Sequence, residues 1–172
     1  LLAFFFAATA GSGLIGLYLS RRFARLLTSN TEEVVLERIP QFIAELRNEA
    51  EALVIESAVE TSSSSISDYY ASRLSSFFAK PKNMHIHLLG SPRATFSLMN
   101  ELDDINRRLD ERELVYSERL RRLVEQKDRL DYAYALQTML KVWLFVHVPA
   151  TYGLILLALL HLLLVYSFGG AR

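Results

Sequence analysis

Two histidines, His147 and His161, stand fourteen residues apart in an apolar run from Leu140 to Phe168. Imidazole is the side chain that changes charge near neutral pH, and in its neutral form it ligates metals and haem iron. A helix turns about 100° and rises about 1.5 Å per residue, so the second ring returns to within roughly 40° of the first, about 21 Å further along. The midpoint of the run falls near Leu154, which puts each ring about 10 Å from the centre of an apolar core about 30 Å thick. Ionisable groups at that depth are costly to bury and mark a functional site by default. Three chemistries suit the pair. It can ligate two b-type haems, one toward each leaflet. It can be structural, each ring bonded to a neighbouring Tyr, Ser or carbonyl. It can also serve a proton relay or a quinone site.

Other residues compete for attention. Gly11-Ser-Gly13-Leu-Ile-Gly16 matches the dinucleotide fingerprint, but that motif requires a preceding strand and a βαβ unit, and here it lies inside an apolar segment. With Ala7, Ala8 and Ala10 it forms a small-residue surface for close helix approach; Gly11 and Gly13 can equally leave room for a porphyrin face. Pro149, two residues after His147, frees a carbonyl near Phe145 and predicts a kink. His85-Ile-His87 presents two imidazoles on one face of a strand without a nearby Cys, Asp or Glu, which reads as a surface or interfacial pair before it reads as a metal site. Trp143 with Lys141, and Tyr166 with Phe168, sit where interfacial anchors belong. Carboxylates are plentiful but recur beside Arg and Lys, as in Asp103, Asp104, Arg107 and Arg108, an i,i+4 pairing on a solvated helix face. No Ser/His/Asp ordering, phosphate loop or metalloprotease motif is present.

These residues need elements to hold them. The chain has 172 residues, no cysteine and zero formal net charge. Without cysteine it forms no disulfide, thiolate zinc site, Cys-ligated cluster or covalent haem attachment of its own. Zero net charge argues against a nucleic-acid partner. All charged residues except Lys141 and Arg172 lie between Arg21 and Asp131. The ends are therefore apolar and the middle is charged. Leu1–Ser20 carries no charge and is long enough to span a bilayer as a helix. A signal peptide fits it poorly, because it lacks a basic leader and the Arg cluster follows the apolar stretch. Because it opens inside an apolar segment, further residues are expected before Leu1.

Arg21, Arg22 and Arg25 follow the first span, and Lys127, Arg129 and Lys141 precede the second, against Arg172 alone at the far end. The positive-inside rule then places the middle region in the cytoplasm. Within it, Ser29-Asn30-Thr31-Glu32 has a capping-box pattern that predicts a helix start. Val35, Ile39, Phe42, Leu46, Ala50 and Leu53 follow at helical spacing, interrupted by Pro40. Thr61–Ser67 reads as a loop, followed by a short helix over about Asp68–Phe78 with Tyr70, Leu74, Phe77 and Phe78 on its apolar side, broken by Lys80-Pro81-Lys82-Asn83. Ser91-Pro92 is a good helix start. From there no Pro or Gly occurs before Pro149, and Leu98, Leu102, Ile105, Leu109, Tyr116, Leu120, Leu123, Leu130 and Tyr134 mark a seam that falters at Arg112, Glu113 and Lys127. The spacing predicts one long helix packed antiparallel on the Thr31–Ser57 helix; a parallel homodimeric coiled coil is the alternative, weakened by the broken heptads.

The predicted fold class is thus an all-α integral membrane protein. Residues 1–20 form one span, 21–138 a charged cytoplasmic helical hairpin, 139–168 a second span carrying His147 and His161, and 169–172 a tail. His-x13-His on one transmembrane helix resembles the dihaem b-type cytochromes, among them the bc1, ferric-reductase and b561 types. The stretch from Lys141 through Trp143, His147 and Pro149 to Tyr152 is similar to bacterial membrane proteins of that character. The resemblance covers about a third of the chain. It implies two b haems with His147 and His161 as iron ligands, glycines such as Gly11 and Gly13 against the porphyrin, an inner-membrane location, and a quinone or soluble redox protein as partner. It implies an electron-transfer subunit of an oxidoreductase complex rather than an enzyme alone. In those families a second helix adds two more histidines, which this chain lacks, so the remaining ligands would come from elsewhere. The competing expectation is a cofactor-free membrane scaffold or accessory subunit whose histidines pack against partner helices. A two-span sensor is disfavoured, since little follows the second span.

Overall fold

The computed structural model describes residues 2–29, 36–81 and 93–169. All regular structure among them is helical: α1 (Leu2–Ser29), a 3-10 turn (Leu36–Arg38) leading into α2 (Ile39–Thr61), α3 (Ser65–Tyr69), a π-helical turn (Tyr70–Leu74), α4 (Ser75–Phe78), α5 (Arg93–Asn106) and α6 (Glu111–Phe168). The chain divides into two compact units, one of Leu1–Glu32 with Leu136–Arg172 and the other of Glu33–Ala135. The stretch Leu2–Arg22 and the C-terminal part of α6 are each long and apolar enough to cross a membrane.

The second unit is built around Leu53, Val54, Ile66, Tyr70, Leu74, Phe77, Phe78, Leu102, Leu120, Leu123 and Val124. Phe78 is fully buried, and a side chain of that kind contributes about 2–3 kcal/mol by leaving water. Pro40 does not interrupt α2 but opens it, in the first turn where its missing N–H costs nothing. The helix start expected at Ser29–Glu32 differs: α1 runs through Ser29, and 30–32 lie outside the described residues. The Ser/Thr-rich loop is shorter than expected. Ser62 takes a left-handed conformation (φ 55°) that terminates α2, and the chain is helical again from Ser65. Ile66, Tyr70, Leu74 and Phe78 are all buried. Four-residue steps drift around an α-helix, and the wider π turn at Tyr70–Leu74 accommodates them on one side.

The single long helix expected after Ser91 is instead two. The chain turns between Asn106 and Glu111, just before the first faltering point of the seam at Arg112 and Glu113. Glu113 accepts a hydrogen bond from the Asp110 N–H at 3.0 Å, the return half of a capping box that starts α6 without Gly or Pro. The two arms then run antiparallel. Ser117 bonds Asn106, Arg121 pairs with Asp103, and Thr95 bonds Asp128. The seam residues Leu102, Tyr116, Leu120 and Leu123 are buried inside this unit, which uses them in the chain's own core. The expected antiparallel packing on α2 is present: Tyr116 reaches Glu60 and Glu56 while Leu53 and Leu123 line one groove further along.

In the first unit, α1 lies against the C-terminal part of α6. Ser12 and Gly13 meet His147, while Gly16 meets Trp143, so residues advance along one helix as they recede along the other and the pair is antiparallel. Most of the other large apolar side chains of both segments are exposed, among them Phe4, Phe6, Leu14, Phe145, Leu156 and Leu163. An exposed apolar surface of this extent belongs in lipid or against another helix.

Candidate functional site

The first unit places His147 in a polar seat made by its own chain. Ser12 Oγ lies 2.9 Å from His147 Nδ1. The Trp143 indole stacks on the imidazole, ring centroids 4.6 Å apart and 18° from parallel. Trp143 Nε1 donates to the Ser12 carbonyl at 2.9 Å and lies 3.1 Å from Ser12 Oγ. One serine thereby serves both rings. A hydroxyl has one donor and two acceptor positions, so two arrangements satisfy the pair. Either Nδ1–H donates to Oγ and Nε2 keeps its lone pair, or Oγ–H donates to Nδ1 and Nε2 carries the proton.

Sequence dictates this seat simply. Trp143 and His147 are four residues apart and so lie on one helix face. Opposite them, Gly16 has no side chain because there is no space for one: a Cβ there would come within 2.0 Å of the indole. Gly13 lies beside the imidazole, where a Cβ would sit 3.8 Å from Cε1. Gly11 faces open space. Of the three glycines, Gly16 is the one that close helix approach requires, while Gly13 is in ordinary van der Waals contact. The face that Gly13 would offer a porphyrin is occupied by the His147 ring of the same chain.

His161 is placed differently. On α6, Trp143, His147, Ala150, Leu154 and Leu157 are half-buried at alternating four- and three-residue steps, and His161 is the next step of that stripe. It is exposed and, among the described residues, has no hydrogen-bond partner. The two histidines share a helix face, as their spacing predicts, in unlike surroundings. The helix is continuous through Pro149, and two residues on the Thr151 hydroxyl donates to the His147 carbonyl at 2.8 Å. His85 and His87 lie outside the described residues. Among the described residues no three His, Cys, Asp or Glu side chains are grouped as a metal site.

Spacing alone did not reveal Ser12 and Trp143 as the partners of His147. The available signal was a lone hydroxyl between two glycines and a tryptophan one turn before the histidine. Trp143, expected as an interfacial anchor, turns its indole N–H toward α1.

The second unit holds two further polar clusters. Lys127 and Asp131 are both fully buried and form an ion pair at 2.5 Å. Lys127 Nζ also donates to the Lys80 carbonyl at 3.0 Å and lies 4.2 Å from the centre of the Phe77 ring. The seam's second faltering point is therefore a cation that ties the end of α4 to α6. Tyr116 donates to Glu60 at 2.5 Å with Glu56 beside it. Its hydroxyl is pushed up to about 12 by that hydrogen bond, with burial adding to it. Tyr69, which donates to the Leu98 carbonyl, is also pushed up to about 12, chiefly by burial.

No family model matches the chain, and no curated protein or solved structure matches it either.

Proposed function

We propose that this chain is a membrane-anchored helical accessory subunit: two spans fix it in the bilayer, and the charged unit between them faces the cytoplasm as an interaction domain. The observation that carries this reading is the polar seat of His147. Ser12 and Trp143 of the same chain meet its Nδ1 and stack on its ring, which supports α1 and α6 as an anchor that packs on itself. The apolar exposed surfaces of both segments support lipid contact. The Arg residues after the first span and Lys141 before the second support the orientation.

A second reading is the electron-transfer subunit, and one observation favours it. A ligating histidine is oriented by a hydrogen bond from its other ring nitrogen, and Ser12 at Nδ1 provides that for a ligand at Nε2. The donor set fits only in part. His147 and His161 would each supply one axial ligand, and the second ligands would have to come from another chain. Haem would supply one-electron chemistry there, with quinone or a soluble redox protein as partner.

One experiment separates the two. The chain is purified from membranes with its natural partners and its reduced spectrum recorded. The accessory reading expects no b-type α-band, and nearly unchanged assembly in a His147→Leu, His161→Leu double variant. A b-type band that disappears in the double variant would overturn it in favour of the cytochrome.

A further inference from the structure

The charged unit carries a groove whose two walls bear opposite charge. Glu49 and Glu56 line it from α2, and Arg119 and Arg122 line it from α6, above the buried side chains of Leu53 and Leu123. All four charged residues are exposed. Glu49 and Glu56 stand seven residues apart, about two helix turns, and so form one straight stripe. Arg112 precedes Arg119, and Arg129 follows Arg122, at the same interval, which lengthens the basic stripe. The helices are antiparallel, with Tyr116 against Glu60, so Arg119 stands level with Glu56. Yet among the described residues no ion pair crosses the groove. Glu56 accepts a 3.5 Å bond from Tyr116, and Arg119 lies over the Tyr116 ring at 5.8 Å. Arg47, the one base of α2, lies about 200° around the helix from Glu49 and pairs with Glu51. Nothing on α2 therefore neutralises its acidic wall.

We propose that this groove is the interface between two copies of the chain, α2 of each seated against α6 of the other across a two-fold axis parallel to the helices. This names the partner of the cytoplasmic interaction domain and rests on that reading. A groove with unlike walls at one level is self-complementary in one way only. A two-fold axis along the helices carries the acidic wall of one copy onto the basic wall of the other, and symmetry repeats the contact. An axis across the helices would set acid on acid and base on base, which is repulsive. The favoured axis also keeps α6 of one copy parallel to α6 of the other, as two copies inserted alike in one membrane require. Exposed Ala52, between the two acids, and exposed Val115, one turn before Arg119, add apolar contact.

The test reverses one wall at a time in the full chain, co-expressed in two differently tagged forms and extracted in mild detergent. Glu49→Arg with Glu56→Arg makes both walls basic; Arg119→Glu with Arg122→Glu makes both acidic. Each reversed form is expected to lose co-purification with its own kind about tenfold or more, the scale of several like-charge contacts. The two reversed forms expressed together are expected to recover it, because every wall again meets its opposite. Helix content is followed by circular dichroism. Where a reversal unfolds the chain, the neutral pair Glu49→Gln with Glu56→Gln takes its place and should still weaken self-association. Self-association indifferent to these changes, a loss in folded forms that mixing does not restore, or a different chain co-purifying in place of the second copy would each overturn the proposal. Membrane fractions are assayed in parallel. A membrane-bound monomer refutes the dimer alone; a dimer found in the soluble fraction upholds the groove and refutes the anchoring.

Discussion

Ser12 is the residue on which the polar seat turns, because one hydroxyl and one carbonyl serve both Trp143 and His147. The chain has one tryptophan, so its fluorescence reports that seat alone. Gly16→Ala would force a methyl carbon into the indole, where a Cβ has only 2.0 Å, and should part the helices: the emission shifts and the ring opens to a lipid-soluble quencher. Gly11→Ala, with nothing within 4 Å of the added carbon, should leave the emission unchanged. Equal responses from the two variants would refute the seat. Ser12→Ala should cost about 0.6–1.7 kcal/mol of helix association, the measured range for such bonds in membranes. A residue-scale test of the other unit is the Tyr116 titration. Its folded pKa lies above the ordinary 10.0, at about 12, chiefly through the bond to Glu60. The neutral phenol is therefore the bonded form. Its stabilising contribution is complete below pH 10 and fades as the pH rises through about 12. Glu60→Gln should lower the tyrosinate midpoint of Tyr116 toward 10 in an absorbance titration; an unchanged midpoint would show that the bond is not its cause.

At the scale of elements, periodicity was informative and termination was not. The apolar steps of α2, the buried face of the Asp68–Phe78 region and the seam of α5 and α6 were legible, because burial repeats with the helix turn. The break between α5 and α6 was legible only as a faltering seam. Its turn is made by Arg107–Asp110 with Glu113 returning to the Asp110 N–H, ordinary helix-forming chemistry without Gly or Pro. Glu113→Ala should accordingly cost about 0.5–2 kcal/mol, the range for a lost cap. Lys127 was legible as an interruption and not as a tie, since the carbonyl of Lys80 and the ring of Phe77 come from a distant segment. Removing one partner of a buried pair strands the other charge, at about 3–5 kcal/mol, whereas replacing both by apolar residues of like volume is close to neutral. Lys127→Met should thus destabilise the chain strongly in denaturant titrations, and Lys127→Met with Asp131→Leu should recover most of the loss. A double variant as weak as the single one would mean that the tie to Lys80 outweighs the ion pair.

For the molecule as a whole, the decisive quantity is the distribution of charge along the chain. Two apolar segments enclose a region that holds every charged residue but Lys141 and Arg172. The candidate site was half legible from this: the His147–His161 spacing on one helix face was there to be read, but Ser12, the hydrogen-bond partner of His147, lies 135 residues away on α1, and no local pattern links them. The structure also refines the orientation argument. Lys127 is buried in its ion pair and offers no charge to the membrane surface, so the bias rests on Arg21, Arg22, Arg25, Arg129 and Lys141 against Arg172. That is still strongly one-sided, and the bias in Lys and Arg near the span ends sets orientation. The natural lack of cysteine makes the test direct. Arg108→Cys, at the exposed turn between α5 and α6, should react with a membrane-impermeant thiol reagent in inverted vesicles and not in right-side-out ones. Ser167→Cys, near the end of α6, should show the reverse. Labelling of both from the same face would mean that one apolar helix lies along the bilayer or against another protein instead of crossing, and the anchored architecture would then have a single span.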